Sequence, residues 1–236
     1  MDKLRHGAER LGIQLGTREL SLFQVYYEEL IDWNQRVNLT SITDYEQVQT
    51  NHFLDALTVT LSWQPKSPQV RVIDVGTGAG IPGIPLKIVF PQIQLVLLDA
   101  TTKKAGFLRH IVGKLGLSDV EIVVGRAEEV AHQNQHREQF NIVLSRAVAE
   151  LATLAELTLP FCAIGGLVIA HKKGDIQEEV QRAETATITL GGKLKEIRPV
   201  ALPEFMDNRS LVVIEKVSPT PEKYPRRAGM PTKKPL

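Results

Sequence analysis

The sequence predicts an α/β fold in which a mostly parallel, seven-stranded sheet carries helices on both faces. Two observations favour this class. Apolar β-branched runs alternate with helical patterns through most of the 236 residues, as expected for βαβ units. The first run ends in a glycine-rich turn at 76–83, which leads into a helical pattern. The composition, 43% hydrophobic and 23% charged, is ordinary for a globular chain.

A helical extension is predicted to precede the first strand. From about Thr17, a candidate N-cap, apolar residues recur with helical spacing. A second amphipathic helix is predicted over 45–61, with His52 and Asp55 on one of its faces. We favour structural hydrogen bonds over acid–base chemistry for this pair and assign it no catalytic role. We expect the extension, residues 1–62, to pack on the core domain that follows.

The stretch 70–83 reads Val-Arg-Val-Ile-Asp-Val-Gly-Thr-Gly-Ala-Gly-Ile-Pro-Gly. A strand, a bare-backbone loop and a helix N-terminus in succession form a nucleotide-type site at the carboxyl edge of a sheet. The spacing Gly78-x-Gly80-x-x-Gly83 matches the dinucleotide fingerprint, which is a weak signal alone. Asp74 discriminates better, because a carboxylate there repels a pyrophosphate but accepts hydrogen bonds from an ammonium group or ordered water. The pattern therefore resembles the S-adenosylmethionine loop of Rossmann-like methyltransferases.

Six further strands are predicted as apolar runs after this loop. They lie at 95–98, 120–124, 140–144, 167–170, 193–198 and 210–216. A helix is predicted over 175–190, whereas no helical pattern separates the last two strands, which predicts an antiparallel edge hairpin. Asp99 follows the second strand about 20 residues past the glycines, where an acidic residue binds a ribose diol. Because that role serves NAD and S-adenosylmethionine alike, Asp99 leaves the choice of cofactor open.

The single cysteine, Cys162, excludes an internal disulfide and is typical of a reducing cytoplasm. It lies in the apolar segment 159–167, which favours a core position over a nucleophilic role. The six histidines are scattered, so no metal site is predicted. No apolar run reaches the length of a membrane span and the N-terminus has no signal-peptide core, so we expect a cytoplasmic protein without a membrane partner.

The charge is distributed unevenly along the chain. The net charge is +1, yet residues 219–236 carry +4 and the remainder −3. A basic, proline-containing tail over 219–236, after a core domain at 63–218, indicates a polyanionic partner, although a solvated, disordered tail explains the same pattern. The basic residues of the tail are Lys223, Arg226, Arg227, Lys233 and Lys234. Basic residues at predicted strand ends are further candidates for binding the phosphates of such a partner: Arg126, Arg146, Lys172, Lys173 and Arg209.

Four segments match one known family, in order along the chain. They are 33–42 (Trp-Asn-Gln-Arg-Val-Asn-Leu-Thr-Ser-Ile), 74–86 with its Ile-Pro-Gly-Ile-Pro, 145–148 (Ser-Arg-Ala-Val) and 224–229 (Tyr-Pro-Arg-Arg-Ala-Gly). From about residue 17 to its end, the chain resembles the bacterial small-subunit (16S) ribosomal RNA guanine-N7 methyltransferases, formerly called glucose-inhibited division protein B. The resemblance implies S-adenosylmethionine as cofactor and 16S ribosomal RNA as partner, within the small ribosomal subunit or an assembly intermediate. It also implies a monomer.

The resemblance further implies the residues of the site. Cofactor contacts are implied at Gly76, Ile81, Asp99, Ala100, Thr101, Ala127, Glu128 and Arg146. Glu128 would accept a hydrogen bond from the adenine amino group, although a plain helix start with an acid near its positive end gives the same pattern. Arg146 follows the fourth predicted strand and would act catalytically by positioning the substrate.

The chemistry is consistent with that family. Guanine N7 has an in-plane lone pair and no proton to lose, so its attack on a sulfonium methyl needs no general base. Methylases of exocyclic amines place an Asn/Asp-Pro-Pro-aromatic run after the fourth strand, where this chain has 145–148 instead. Catalysis is then mostly positioning. Two alternatives stay open: an NAD-dependent oxidoreductase, disfavoured by Asp74, and a non-catalytic nucleic-acid-binding protein on the same fold.

Overall fold

The computed structural model describes residues 1–65 and 69–236, so residues 66–68, near the start of the predicted core domain, lie outside the described residues. Within the described chain, one seven-stranded sheet forms the centre of the protein. The strands are β1 (Arg71–Val75), β2 (Gln94–Asp99), β3 (Val120–Val124), β4 (Phe140–Arg146), β5 (Cys162–Lys173), β6 (Gly192–Pro199) and β7 (Arg209–Lys216). Their order is β3-β2-β1-β4-β5-β7-β6; the first five in that order pair in parallel, and β7 is antiparallel to β5 and β6. The mostly parallel sheet and its antiparallel edge hairpin are confirmed.

Helices cover both faces of this sheet, as the sequence predicts. Those in the described residues are α1 (Asp2–Arg10), α2 (Thr17–Asn34), α3 (Tyr45–Val48), α4 (Asp55–Leu57), α5 (Gly83–Val89), α6 (Thr102–Lys114), α7 (Ala127–Val130), α8 (Leu151–Thr158), α9 (Gln177–Arg182), α10 (Glu184–Thr189) and α11 (Met230–Lys233). Side chains alternate along a strand, so Val72 of β1 packs into a core with α2, α5 and α6, whereas Ile73 packs into a second core with α8 and α10. Among the described residues, no helix is long and apolar enough to cross a membrane.

The N-terminal helices share the first of these cores. The helix predicted over 45–61 is a continuous helical run, but its winding changes: α3 leads into a π-helical turn (Gln49–Leu54), and α4 leads into a 3₁₀ turn (Thr58–Leu61). Phe53 in the π-helical turn is fully buried, and its ring centroid lies 5.0 Å from that of Phe23 and 5.1 Å from that of Tyr26. This aromatic cluster attaches the extension to the sheet.

Three predicted boundaries are wrong by small amounts. Thr17 is the first residue of α2 and Gly16 is its cap, because Glu19 reaches back to accept from the Gly16 amide at 3.0 Å. Strand β5 begins five residues before 167, and its pairing with β4 is irregular there; Gly165, with φ of +81°, allows the irregular backbone. The helix predicted over 175–190 is divided into α9 and α10 at the buried Ala183.

The C-terminal segment, residues 219–236, lies against the body of the protein. The Arg226 guanidinium binds the fully buried Glu156, with 2.6 Å between Nη2 and Oε2. Arg137 donates to the carbonyl oxygens of Tyr224 and Thr220, each at 2.9 Å. The ring of Tyr224 is itself buried. The segment is therefore docked, which contradicts the solvated, disordered tail that the charge pattern left open.

Candidate cofactor and substrate site

The glycine-rich loop after β1 folds back against the end of β2. The amides of Gly76 and Thr77 donate to the carbonyl oxygen of Leu98, at 2.9 and 3.1 Å. Gly76 has φ of +73°, and a Cβ there would lie 2.6 Å from a methyl carbon of Val148. A Cβ on Gly78, where φ is +61°, would meet only the carbonyl oxygen of Gly76, at 4.0 Å. Gly76 is therefore covered by Val148, whereas Gly78 presents bare backbone beside open space at the carboxyl edge of the sheet.

Helix α2 and hydrogen bonds within the loop fix the conformation of this backbone. The Tyr26 hydroxyl donates to the carbonyl oxygen of Ala79, and burial raises the pKa of Tyr26 well above its ordinary value. The Ile81 amide donates to the carbonyl oxygen of Thr77 at 3.1 Å, and the Ile81 side chain is buried. The loop conformation is thus fixed by the protein itself.

Asp74, predicted to accept from a ligand's ammonium group or from water, braces this loop in the structure. Its Oδ2 accepts from Thr77 Oγ1 at 2.7 Å and from the amide of Gly83 at 2.9 Å. Burial raises the pKa of Asp74 to about 6, although these two hydrogen bonds oppose the shift. The other oxygen, Oδ1, is buried without a hydrogen-bond partner. One acceptor thus remains for a ligand or a water molecule.

Asp99 ends β2 directly beside the loop. Its Oδ2 accepts from the amide of Gly78 at 2.9 Å, and its Oδ1 accepts from the amide of Thr101 at 2.8 Å. The Asp99 side chain is only 7% exposed. Each carboxylate oxygen has a second lone pair, so both can also accept from the hydroxyls of a ribose. Ala100 and Thr101 are exposed, and Thr101 is the N-cap of α6.

The segment after β3 continues the same edge. The amide of Gly125 donates to the Asp99 carbonyl oxygen at 3.1 Å, which places Ala127 and Glu128 on the neighbouring strand end. Ala127 is half-buried and Glu128 is buried. Glu128 Oε1 accepts from Arg126 Nη2 at 3.1 Å and from the amide of Gly229 at 2.8 Å. The contact with Gly229 was not foreseen from the sequence.

Arg146 ends β4, which neighbours β1 where the strand order reverses. In open α/β sheets, ligands bind at this reversal. Arg146 Nη1 donates to the carbonyl oxygen of Asn51 at 2.8 Å and to Asp55 Oδ2 at 3.0 Å, and Nη2 lies 3.2 Å from His52 Nδ1. The side chain keeps 18% of its surface exposed. The N-terminal extension therefore anchors this arginine while leaving part of it accessible.

Asp55 lies between two arginines. Its Oδ1 accepts from Arg209 Nη1 at 2.8 Å, opposite the bond to Arg146, and its side chain is 5% exposed. Burial opposes ionisation of Asp55, but His171, Arg146 and Arg209 outweigh burial and lower its pKa. His52 and Asp55 both make structural hydrogen bonds, as the sequence predicts. What the sequence did not reveal is that both side chains serve Arg146.

The segment 33–42 contacts His52, which in turn contacts Arg146. Asn34 Oδ1 accepts from the amides of Leu39 and Thr40, at 2.8 and 3.0 Å, and so closes the turn after α2. Thr40 Oγ1 then lies 2.7 Å from His52 Nε2. The sequence identifies this segment as a family motif but does not predict its role. The structure indicates that the segment orients His52.

A cleft of about 350 Å³ opens beside Arg146, between the π-helical turn and residues 147–149. Val148 forms one side of it and also covers Gly76, so the cleft adjoins the glycine loop. A larger groove of about 890 Å³ shares Asn51 and Lys173 with the cleft. The cleft thus lies between the cofactor edge of the sheet and an open groove on the surface.

The basic candidates at strand ends differ in what remains accessible. Arg209 is wrong as an RNA contact, because its side chain is 3% exposed and is paired with Asp55 and Asp207. Lys172 is mostly covered and binds Glu179 Oε1 at 2.6 Å. Arg126 and Lys173 are each more than half exposed and remain candidates.

Two further observations bear on other chemistries. Cys162 is buried in the second core, and burial raises the pKa of its thiol to about 12, which is consistent with a core role. In residues 1–65 and 69–236, no three His, Cys, Asp or Glu side chains are grouped to hold a metal ion.

The residues at this edge fit S-adenosylmethionine. Bare backbone at Gly78 leaves room for a ligand, and the unpartnered Asp74 Oδ1 supplies a buried acceptor. Two further carboxylates, of Asp99 and Glu128, follow on adjacent strand ends, where a ribose and then a base would extend.

Comparisons with known proteins agree with this geometry. Residues 19–211 match the family model described as GidB, rRNA small subunit methyltransferase G. Over 236 residues, the chain is 54% identical to the ribosomal RNA small subunit methyltransferase G of Dehalococcoides mccartyi and 50% identical to that of Roseiflexus castenholzii, with 100% of both chains covered in each case. A SAM-dependent methyltransferase from Aquifex aeolicus has a TM-score of 0.55 at 16% identity, over 74% of this chain and 94% of that chain. The structural likeness shows the fold, which is the Rossmann-like methyltransferase fold that the sequence predicts.

Proposed function

This chain belongs to the rRNA small subunit methyltransferase G family, and we propose that it transfers the methyl group of S-adenosylmethionine to N7 of a guanine in 16S ribosomal RNA. The observation that carries the proposal is the placement of Arg146. It stands at the switch point of the sheet, between the glycine loop and an accessible cleft, and is held by the extension. This arrangement favours a methyltransferase over a nicotinamide enzyme or a binding scaffold, because the cleft adjoins the cofactor edge and contains a fixed cation.

The cofactor residues are assigned by their position along the edge. When bound, S-adenosylmethionine supplies an electrophilic sulfonium methyl group. Gly76 and the Ile81 backbone lie at the loop and are assigned to the methionine part. Asp99, with Ala100 and Thr101, is assigned to the ribose. Their backbone and carboxylate groups bind and orient the cofactor.

The adenine end of the cofactor is assigned to the segment after β3. Ala127 would pack on the base, and Glu128 would accept from the exocyclic amino group. The support is the hydrogen bond from the Gly125 amide to the backbone carbonyl oxygen of Asp99, which places this segment beside the residue assigned to the ribose.

Arg146 is assigned the task of holding the target nucleotide in line with the methyl group. Nη1 of its guanidinium binds Asn51 and Asp55 and Nη2 lies against His52, which leaves Nε and the second N–H of Nη2 for the nucleotide. Because this anchoring exists before any ligand binds, little reorganisation is needed during the reaction. Positioning of this kind suffices for a nucleophile that has no proton to lose.

The two imidazoles near Arg146 are consistent with a reaction that needs no base. Burial and the charge of Arg146 lower the pKa of His52 to about 4. Burial likewise lowers the pKa of His171, whose Nε2 lies 3.0 Å from the Asp55 carbonyl oxygen. Both rings are therefore neutral at physiological pH. His52 uses both ring nitrogens in contacts, whereas His171 bonds through Nε2 and its Nδ1 is buried without a partner; we assign both rings structural tasks.

The RNA side of the site is proposed from exposure. Lys173 lines the cleft as an exposed cation, and the 890 Å³ groove beyond it gives a path for a strand; Arg126, also exposed, lies further along the sheet edge, after β3. We propose 16S RNA within the small subunit or an assembly intermediate as the substrate, with a monomeric enzyme acting in the cytoplasm.

Transfer of labelled methyl groups tests this function. The protein is incubated with S-adenosylmethionine labelled in the methyl group and with naked 16S RNA, small subunits or an assembly intermediate in turn. We expect label in at least one of these RNAs and calorimetric binding of S-adenosylmethionine. Binding of the cofactor without transfer to any RNA would indicate a non-catalytic protein, and binding of NAD in its place would indicate an oxidoreductase.

A further inference from the structure

The C-terminal segment reaches the cofactor edge of the sheet at Glu128. The amide of Gly229 donates to Glu128 Oε1 at 2.8 Å, and Arg126 Nη2 donates to the same oxygen at 3.1 Å. Neither donor occupies Oε2. Two donors on one oxygen fix the rotation of the carboxylate, so the direction of its second oxygen is also fixed.

Gly229 is suited to this contact by its backbone. Its φ of +80° lies in the left-handed region, which residues with a side chain rarely adopt. A Cβ at Gly229 would meet no atom within 4 Å, so the glycine serves the turn itself and not a close approach of neighbours. The turn directs the Gly229 amide toward Glu128 and begins α11.

Anchors on both sides keep Gly229 in place. Before it, the carbonyl oxygen of Pro225 lies 2.8 Å from His132 Nε2, and Arg226 binds the buried Glu156 through both its side chain and its amide. After it, Thr153 Oγ1 donates to the carbonyl oxygen of Pro231 at 3.1 Å. Backbone groups make most of these bonds, and they tie the segment to the elements around α7 and α8.

The contact also keeps Glu128 ionised. Burial favours the neutral acid, but hydrogen bonds from Gly229, from its own amide and from Arg126 outweigh burial and lower the pKa of Glu128. At neutral pH, Glu128 is therefore an acceptor with no proton to donate. An acceptor of this kind suits an amino group and disfavours a carbonyl oxygen.

We propose that residues 224–236 form a strap that positions Glu128 to select the 6-amino group of the cofactor's adenine. This inference rests on the proposed function, since it takes the assignment of Glu128 to the adenine from there. It gives the docked tail a task at the cofactor site, distinct from contact with RNA.

The test compares two ligands that differ at that group and at the neighbouring N1. S-adenosylhomocysteine carries the 6-amino group and an acceptor at N1, whereas S-inosylhomocysteine carries a carbonyl oxygen at the 6-position and a hydrogen on N1. We expect the full chain to bind the adenosyl ligand about tenfold or more tightly in calorimetry, the scale of a hydrogen bond to a charged group. A chain that ends at Arg227 lacks Gly229 and should bind the two ligands within about threefold of each other.

A matched control separates the strap from its charge. The chain that ends at Arg227 also loses Lys233 and Lys234, so the control carries Lys233→Ala and Lys234→Ala with the strap intact. We expect this control to keep the full preference. A second variant, with two glycines inserted between Arg227 and Ala228, retains every residue but displaces Gly229, and should lose the preference as the truncation does. It serves if the shortened chain fails to fold.

Glu128→Gln distinguishes failure of the strap from failure of the underlying assignment. A glutamine amide can donate to the inosyl carbonyl, so this variant should lose or invert the preference. If Glu128→Gln keeps the wild-type preference, the adenine assignment of the proposed function is wrong. If Glu128→Gln loses the preference but the truncated and glycine-insertion chains keep it, the strap is overturned and Glu128 alone selects the base.

Discussion

The two ends of the chain are both docked on the methyltransferase core, but different forces hold them. The extension buries aromatic and aliphatic side chains, such as Phe23, Tyr26 and Phe53, in the core of one sheet face. The C-terminal segment buries Tyr224 in the second core and is otherwise held by the Arg226–Glu156 ion pair and by hydrogen bonds to its backbone. Apolar packing leaves a periodic trace in a sequence, whereas bonds to backbone carbonyls leave none.

The ends also serve different halves of the site. The extension holds the glycine loop through Tyr26 and holds Arg146 through Asp55. Of the candidate site residues, the C-terminal segment binds Glu128. Changes in the extension should therefore alter stability and turnover, while changes around Gly229 should alter cofactor recognition.

The largest effect is expected from a substitution that weakens the apolar packing of the extension on the sheet. Phe53→Ala removes a fully buried ring and should lower the free energy of unfolding by about 3–5 kcal/mol in urea denaturation. Ile188→Ala, at a side chain that is 65% exposed, is the control and should change it by less than about 0.5 kcal/mol. A separate early unfolding transition in the Phe53 variant would show that the extension is an independent attachment, contrary to a shared core.

The next effect concerns turnover. Arg146→Ala should lower the rate of methyl transfer about 100-fold or more, because the fixed cation that positions the nucleotide is lost. Asp55 keeps its bond to Arg209, so the protein should remain folded by circular dichroism. Arg198→Ala, at a half-exposed arginine of β6, is the control for loss of charge. Turnover within a few-fold of the unmodified protein would make Arg146 structural.

The third prediction concerns Asp99, a core residue that neither end of the chain contacts and that we assign to direct cofactor binding. Asp99→Ala should weaken S-adenosylmethionine binding by about 1.5–3 kcal/mol in calorimetry, since hydrogen bonds to a charged group are lost. The exposed Asp32, changed in the same way, should leave the affinity as it is. Unchanged affinity in a folded Asp99 variant would remove the ribose assignment.

The smallest effect is expected on RNA binding, from the lysines of the docked C-terminal segment that remain exposed. Arg226 is bound to Glu156, whereas Lys233 and Lys234 are exposed. Lys233→Ala with Lys234→Ala should reduce the slope of log K against log salt for RNA binding by about 0.7–0.9 per lost phosphate contact. The measurement is RNA affinity at several salt concentrations. An identical slope would mean that these lysines face solvent in the complex as well.

Much of the fold was predictable because its signals are local. The alternation of strand and helix patterns, the glycines after β1 and the acid after β2 each depend on neighbouring residues. Gly76, Asp99 and Arg146 accordingly lie at the sheet edge where the sequence places them. Boundary errors arose where the backbone departs from regular geometry, as in the irregular pairing of β5.

The supports of the site were not predictable because they join distant residues. Arg146 and Asp55 are 91 residues apart, Arg209 and Asp55 are 154 apart, and Gly229 and Glu128 are 101 apart. A basic residue at a strand end is typical of a phosphate contact. The prediction for Arg209 is wrong because its buried partner, Asp55, cannot be identified from the sequence. Docking of the C-terminal segment could not be predicted for the same reason, because its charge pattern does not show that Arg226 is paired with Glu156.

The product of the reaction tests the central claim most directly. Methylation at guanine N7 creates a cationic purine with a labile imidazole ring and glycosidic bond. Borohydride followed by aniline should then cleave 16S ribosomal RNA at one guanine, only when this protein and S-adenosylmethionine are both present and not with the Arg146→Ala variant. Recovery of the methyl group as a 2′-O-methyl ribose, an N6-methyladenine or a 5-methylcytosine would contradict the account, because those reactions need groups that we do not assign to this site.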